Sequence, residues 1–290
     1  MANANDQSNN YRLGLDIGGT KINGVLFANG EVAENFQVAT PTDNLGHLII
    51  MIKAVLDPLR ERAAQDHQTI DFLGIGVPGT VNQRAERVVA CINMPILDNI
   101  KLLARLRNEL ELNLPMKLDN DANCFTRAEA KLGAGVGLNN IYALTIGTGI
   151  GGGWWFNDRI YQGSHGHAGE IGEMLIDFDH QITLEEAYKK LTQNNPRLLA
   201  QEAYEGDILA EKCFQELGAY LGLAFANIVN LLDPEIIVIG GGTSASSDLF
   251  LKTAHKTMKK YLSSKETKKI SIVKSKLGAN AGAIGAALLN

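Results

Sequence analysis

Cysteine is scarce, basic clusters are absent, and no apolar run is long enough to cross a bilayer. Three cysteines occur in 290 residues, Cys91, Cys124 and Cys213. They lie far apart with no CxxC pair, which excludes a disulfide framework and reads as reduced, structural thiols of a cytoplasmic protein. Lys plus Arg number 27 against 32 Asp plus Glu, a net charge of −5. With no run of basic residues, the chain is expected to bind neither nucleic acid nor a membrane surface. The polar, Asn-rich start has no positive region followed by an apolar stretch, so no signal peptide is read there, and residues 1–9 are an expected disordered leader. What is present is ordinary for a globular protein: 45% hydrophobic and 20% charged residues. That excludes a disordered or fibrous chain, and the length favours two domains.

The apolar pattern repeats itself. Leu13, Leu15 and Ile17 alternate as in a strand, Gly18-Gly19-Thr20 forms a tight turn, and strands over 22–27 and 32–39 flank the hairpin signal Ala28-Asn29-Gly30. Half a chain later, Ile141 to Ile146 is a strand, Gly147-Thr148-Gly149 a turn, Ile150 to Phe156 a second strand, and Arg159 to Gln162 a third. Such a repeat implies a duplicated domain. Between and after these stretches, helical spacing dominates. One helix carries Leu48, Ile52, Val55 and Leu59, with Pro58 as a possible bend or end. Asp98 is the expected cap of a helix bearing Leu102 to Leu110. Helices are also expected over 207–232, 247–262 and 278–289, the last rich in Ala and Gly.

Glycine is abundant, at 30 residues, yet neither standard phosphate motif holds. Gly14 and Gly19 have Walker A spacing, but Thr20-Lys21 is in the wrong order. Gly147 to Gly152 mimics GxGxxG but leads into a strand, whereas a dinucleotide fingerprint opens a helix. Two Gly/Thr hairpin turns, one per repeat, can instead present backbone N–H groups to a triphosphate. Asp16 sits beside the first turn, where its carboxylate can hold Mg²⁺ through water. The same pattern also suits an ordinary turn with a solvated Lys21.

Several segments, in order and spacing, resemble the ROK family of sugar kinases and related repressors. They are Leu15-Asp16-Ile17-Gly18-Gly19-Thr20-Lys21, Val77-Pro78-Gly79, Leu118-Asp119-Asn120-Asp121-Ala122-Asn123, Thr145 to Gly153, Gly163 to Gly172, Ile237 to Gly242 and Gly278 to Gly282. The stretch 118–125 is similar to the N-acetylglucosamine kinase and fructokinase branches. The resemblance implies an α/β, duplicated actin-like (ribonuclease H-like) two-lobe sugar kinase fold, with a sugar in the cleft. The lobes are expected at 10–118, with the closing helix 280–290, and at 119–279. It also implies ATP-dependent phosphorylation of a hexose or N-acetylhexosamine at the 6-hydroxyl, in a homodimer.

By the same resemblance, Asp121 is the expected catalytic base, with Asp119 as its competitor and an N-cap as its plain structural role. Gly79, Asn93, Asn120, Asp121, Glu170, Glu173 and Glu185 are the expected sugar contacts, Glu186 being an equally spaced alternative to Glu185. Asp16, Gly18, Gly19, Thr20 and Lys21 are expected to serve Mg-ATP, together with Gly147, Thr148, Gly149, Gly240, Gly241 and Gly242. One departure is plain. The family carries a histidine after Gly172 and then a cysteine-rich zinc motif, whereas here Glu173 follows and 174–184 holds no cysteine. No structural zinc is expected, and His165, His167 and His180 offer a weak substitute. Two rivals stay open: a sugar-binding protein that has lost turnover, and a kinase with another donor such as polyphosphate. With no helix-turn-helix before Arg12, a repressor is disfavoured.

Overall fold

A computed structural model describes residues 10–84, 86–91 and 93–289; the expected leader, 1–9, lies outside them. The chain divides into two compact units. One runs through Ala128 and takes back the chain from Asn280, and the other spans Glu129–Ala279. The first passage falls inside a helix that runs unbroken over Asp121–Leu132, and not at 118/119.

In the first unit the elements are β1 (Tyr11–Ile17), β2 (Lys21–Ala28), β3 (Glu31–Ala39), α1 (Leu45–Gln65), β4 (Ile70–Val77), β5 (Thr80–Asn82), β6 (Arg87–Ala90), α2 (Leu102–Leu110), β7 (Met116–Asn120) and the start of α3 (Asp121–Leu132). The sheet order is β3-β2-β1-β4-β7. β1, β2 and β3 are antiparallel neighbours, and β4 and β7 run parallel to β1. Leu48, Ile49, Ile52, Val55, Leu56 and Leu59 are all buried along α1, which makes a helix the only way to bring that spacing onto one face. Pro58 neither ends nor caps it; the helix continues to Gln65. Asp98 does not cap α2. α2 begins at Leu102 behind Lys101 with no side-chain cap, and Asp98 Oδ1 instead accepts from the Cys91 N–H at 3.2 Å.

The second unit contains β8 (Asn140–Ile146), β9 (Ile150–Phe156), β10 (Arg159–Ile160), β11 (Leu175–Asp177), β12 (Ile182–Thr183), α4 (Leu184–Thr192), α5 (Pro196–Tyr204), α6 (Ile208–Leu232), β13 (Ile236–Gly240), α7 (Leu251–Lys260) and β14 (Ser271–Lys274). Its sheet order, β10-β9-β8-β13-β14, reproduces that of the first unit strand for strand, so the repeat in the sequence is a repeat in structure. α6 starts at Asp207, whose carboxylate accepts from Leu209 and Ala210 N–H, and supplies much of the core through Phe214, Leu217, Leu221, Phe225 and Ile228. Trp155 is the core member of the tryptophan pair. Trp154 is half-buried and donates Nε1–H to Asn140 Oδ1 at 2.8 Å. The helix expected from Ser247 starts later, at Leu251, after a 3₁₀ stretch over Gly242–Leu249.

The closing helix α8 (Ala281–Ala287) belongs to the first unit and is preceded by one 3₁₀ turn, Gly278–Asn280. Its small residues allow contact at backbone distance. A Cβ on Gly14 would lie 1.9 Å from Ala283 O, and one on Gly74 1.8 Å from Ala286 O. Gly14 and Gly74 are register partners across β1 and β4, so α8 lies directly on the strands that carry Asp16 and lead to Gly79. Among the described residues, no helix is long and apolar enough to cross a membrane.

Candidate functional site

In the first unit, the turn after β1 is fixed by its own backbone and by Thr40. Gly18 N–H donates to Lys21 O at 2.9 Å, and Thr40 Oγ1–H donates to Gly18 O at 2.7 Å. Thr20 and Lys21 project into solvent. Asp16 stands at the end of β1 with its carboxylate over the Cα of Gly282, where a Cβ would come within 2.3 Å of Oδ2. Burial raises its pKa to about 6, against the lowering pull of Lys21. It accepts no hydrogen bond among the described residues.

β7 runs into α3 through the segment with the two competing carboxylates, and they have opposite surroundings. Asp119 is buried. Its Oδ1 accepts from Asn120 N–H at 2.8 Å and from Asn123 Nδ2 at 3.2 Å, and its Oδ2 pairs with Arg127 at 2.7 Å. A carboxylate so occupied serves as a structural clamp. Asp121, the first residue of α3, is half-buried, and its Oδ1 accepts from Ala122 N–H at 2.8 Å. It does not cap the helix. Asn120 does, with Oδ1 accepting from Asn123 N–H at 3.0 Å while Nδ2 donates to Gly79 O at 3.1 Å.

Gly79 holds φ +86°, and a Cβ there would meet Ala90 O at 2.1 Å, so only glycine fits. Gly79, Asn120 and Asp121 are therefore brought together on adjacent strand ends. Asn93 is exposed in the turn two residues after Cys91, whose Cα would lie 2.9 Å from a Cβ on Gly79. Cys91 and Cys124 are buried thiols whose pKa values are pushed up by burial, that of Cys91 to about 11.

In the second unit the Gly147–Gly149 turn is held from both ends by α4. Tyr188 Oη–H donates to Gly147 O at 2.6 Å, and Glu185 Oε2 accepts from Ile150 N–H at 2.8 Å. The end of β13 lies against the same turn. Gly241, at φ +82°, approaches so closely that a Cβ would be 2.4 Å from Ile146 O, and Tyr188 also hydrogen-bonds Thr243 Oγ1 at 2.7 Å. The two glycine segments expected to meet the nucleotide are thus neighbours.

Glu170 precedes a 3₁₀ turn, Ile171–Glu173. Burial raises its pKa, His167 opposes this, and Glu173 and Glu185 reinforce it. Tyr142 Oη–H donates to Gly169 O at 2.6 Å and pins this loop. Glu173 itself is exposed. Glu186 closes a capping box with Thr183 at the start of α4.

The residues where the family pattern places zinc do not fit that ion. Glu173, at the place of the family histidine, ends a 3₁₀ turn, and the stretch after it forms the short hairpin β11–β12, with His180 paired to Asp177 at its exposed turn at 3.0 Å. Among the described residues no group of three His, Cys, Asp or Glu side chains is arranged to hold a metal. Arg127, Tyr142 and Tyr188 escaped the sequence reading. Tyr188 had a signal, since it lies three residues from Glu185 and so on the same helix face; Arg127 and Tyr142 had none.

The ROK family model matches residues 12–290. The chain belongs to the ROK family. An N-acetyl-D-glucosamine kinase of Vibrio cholerae is 30% identical, with 96% of this chain and 98% of that protein covered. A glucokinase of Halalkalibacterium halodurans is 29% identical over 96% of this chain and 94% of the relative. Among solved structures, a ROK glucokinase from Streptomyces griseus, in complex with glucose and AMPPNP, superposes with a TM-score of 0.80 at 26% identity, covering 96% and 98% of the two chains. The doubled sheet of this ROK protein is accordingly the actin-like sugar kinase fold, in a member that lacks the family's zinc ligands.

Proposed function

We propose that this ROK protein is an ATP-dependent sugar kinase that phosphorylates the 6-hydroxyl of a hexose or N-acetylhexosamine. The observation that carries the reading is the division of labour between Asp119 and Asp121. One carboxylate is locked into a buried ion pair; the other stands at the first position of a helix beside Asn120 and Gly79. The start of a helix accommodates a negative charge well. Phosphoryl transfer demands mainly positioning, charge neutralisation and one group to receive the hydroxyl proton.

In this account Asp121 accepts the proton of the sugar hydroxyl as its oxygen bonds to the γ-phosphorus and ADP departs. Asn120, the Gly79 backbone and Glu170 orient the sugar, with Asn93, Glu173 and Glu185 as the remaining expected contacts. The Gly18–Lys21 turn, the Gly147–Gly149 turn and Gly240 to Gly242 receive the nucleotide. Mg²⁺ arrives with ATP as part of the donor. Asp16, an acceptor with no protein donor of its own among the described residues, suits a hydrated ion that gives up its water reluctantly.

ADP release coupled to a reporter reaction tests this with Mg-ATP and glucose, N-acetylglucosamine, N-acetylmannosamine, fructose and mannose. Turnover with at least one sugar is expected. Thermal stabilisation by a sugar with no ADP release would instead identify a binding protein, and turnover with polyphosphate but not ATP would replace the donor.

A further inference from the structure

The family resemblance places Glu185 on the sugar, and its two carboxylate oxygens also have partners in the second unit. Oε2 accepts from Ile150 N–H at 2.8 Å, and Oε1 is paired with Lys189 at 2.7 Å. Gly149 and Gly172 close around it: a Cβ on Gly149 would lie 2.6 Å from Oε2, and one on Gly172 3.3 Å. Three residues further along α4, Tyr188 is fully buried and reaches the other end of the same turn through Gly147 O. Residues spaced by three share a helix face. One face of one helix therefore holds a carbonyl at the start of the Gly147–Gly149 turn and an amide just after it.

We propose that Glu185 and Tyr188 are positioning residues for the phosphoryl donor, fixing the shape of the Gly147–Ile150 turn. This rests on the reading of that turn as a nucleotide contact. A glycine-rich turn samples many conformations, and backbone N–H groups bind phosphate well only when they are already aimed. The two α4 side chains supply that aim. Tyr188 extends it to the end of β13 through Thr243, so both nucleotide segments are set by one hydroxyl. Lys189 keeps the clamp compatible with an anionic ligand, because its ammonium offsets the carboxylate charge beside the turn. α4 is itself fixed at its start by the Thr183–Glu186 capping box and by Leu184 N–H donating to Met174 O at 2.9 Å.

Calorimetric titration of the full chain with Mg-AMPPNP, and separately with glucose and N-acetylglucosamine, tests the proposal without requiring turnover. Glu185→Ala and Tyr188→Phe are each expected to weaken Mg-AMPPNP about tenfold, and Tyr188→Phe to leave sugar affinity within about twofold. Glu185→Gln, whose amide oxygen still accepts from Ile150 N–H, is expected to keep most of the nucleotide affinity; it also serves as the folded comparison if Glu185→Ala does not fold. Weakened sugar binding with unchanged Mg-AMPPNP affinity in Glu185→Ala would overturn the proposal. Thr148→Ala separates the two levels. If it weakens Mg-AMPPNP and the α4 variants do not, the positioning role fails alone. If neither it nor they change nucleotide binding, or if the wild type binds none, the reading of the turn fails with it.

Discussion

Asp119 and Arg127 are joined at 2.7 Å, the carboxylate fully buried and the guanidinium nearly so. The pair spans from the end of β7 to the second turn of α3 and holds straight the chain that presents Asn120 and Asp121. Removing one partner leaves an uncompensated buried charge, which is costlier than the pair is stabilising. Arg127→Ala is expected to lose about 3–5 kcal/mol in urea denaturation. Wild-type stability would show that the pair is not a clamp.

Asn120 has two duties that separate in measurement. As the cap of α3 its side chain satisfies the Asn123 N–H, and its loss costs about 1 kcal/mol. As the amide next to Gly79 it is expected to orient a sugar hydroxyl. Asn120→Asp keeps the capping oxygen but replaces the donor to Gly79 O with an acceptor. Asn120→Ala should lower stability and raise the sugar KM, whereas Asn120→Asp should raise the KM and keep the helix capped. Circular dichroism melts and steady-state kinetics on both variants check this.

Asp16 makes stability depend on pH in a predictable sense. Its folded pKa lies near 6 against 3.8 for the free group, so the folded state binds the proton more tightly than the unfolded chain. Its contribution is favourable below about pH 4 and is lost as pH rises through 6. Asp16→Asn removes that penalty. In the nucleotide-free protein it should be more stable than wild type at pH 8, by up to about 3 kcal/mol, and the gap should close on acidification to pH 4. A constant gap across that range would contradict the assignment.

Gly74 and Gly46 should respond oppositely to alanine. At Gly74 the added Cβ meets the Ala286 carbonyl at 1.8 Å, so α8 must move off the sheet. A loss of about 3 kcal/mol or more is expected, at the upper end of overpacking costs. At Gly46, in the first turn of α1, the nearest atom is the Asn44 side-chain oxygen at 3.4 Å, and alanine should be neutral or stabilising by up to about 1 kcal/mol. Thermal melts of the two variants give the comparison.

Much of this architecture was legible in the residue pattern, for a physical reason. Strands β1 and β8 end in glycine turns that only a hairpin accommodates, and their apolar alternation recurs half a chain apart, so the duplication could be read directly. Asp16 stands out beside the first glycine turn, whereas Gly79, Asn120 and Asp121 are marked by the resemblance to the ROK motifs. What failed depended on direction or distance. Asp98 has the chemistry of a helix cap but is used by Cys91 N–H, and Asp121 cedes the cap to Asn120. The β11–β12 hairpin is too short to announce itself by alternation. Arg127 finds Asp119 only because a strand and a helix meet, and Glu185 is visible as a glutamate while its hydrogen bond to Ile150 is not.

The central claim is that Asp121, and not Asp119, takes the proton. Single-turnover formation of sugar phosphate from Mg-ATP, in wild type and Asp121→Asn with both substrates bound at saturation, addresses it most directly. A slowing of about 10²–10⁴-fold in the chemical step is expected, with substrate affinities and melting temperature essentially retained. Phosphoryl transfer at the wild-type rate by Asp121→Asn would contradict it.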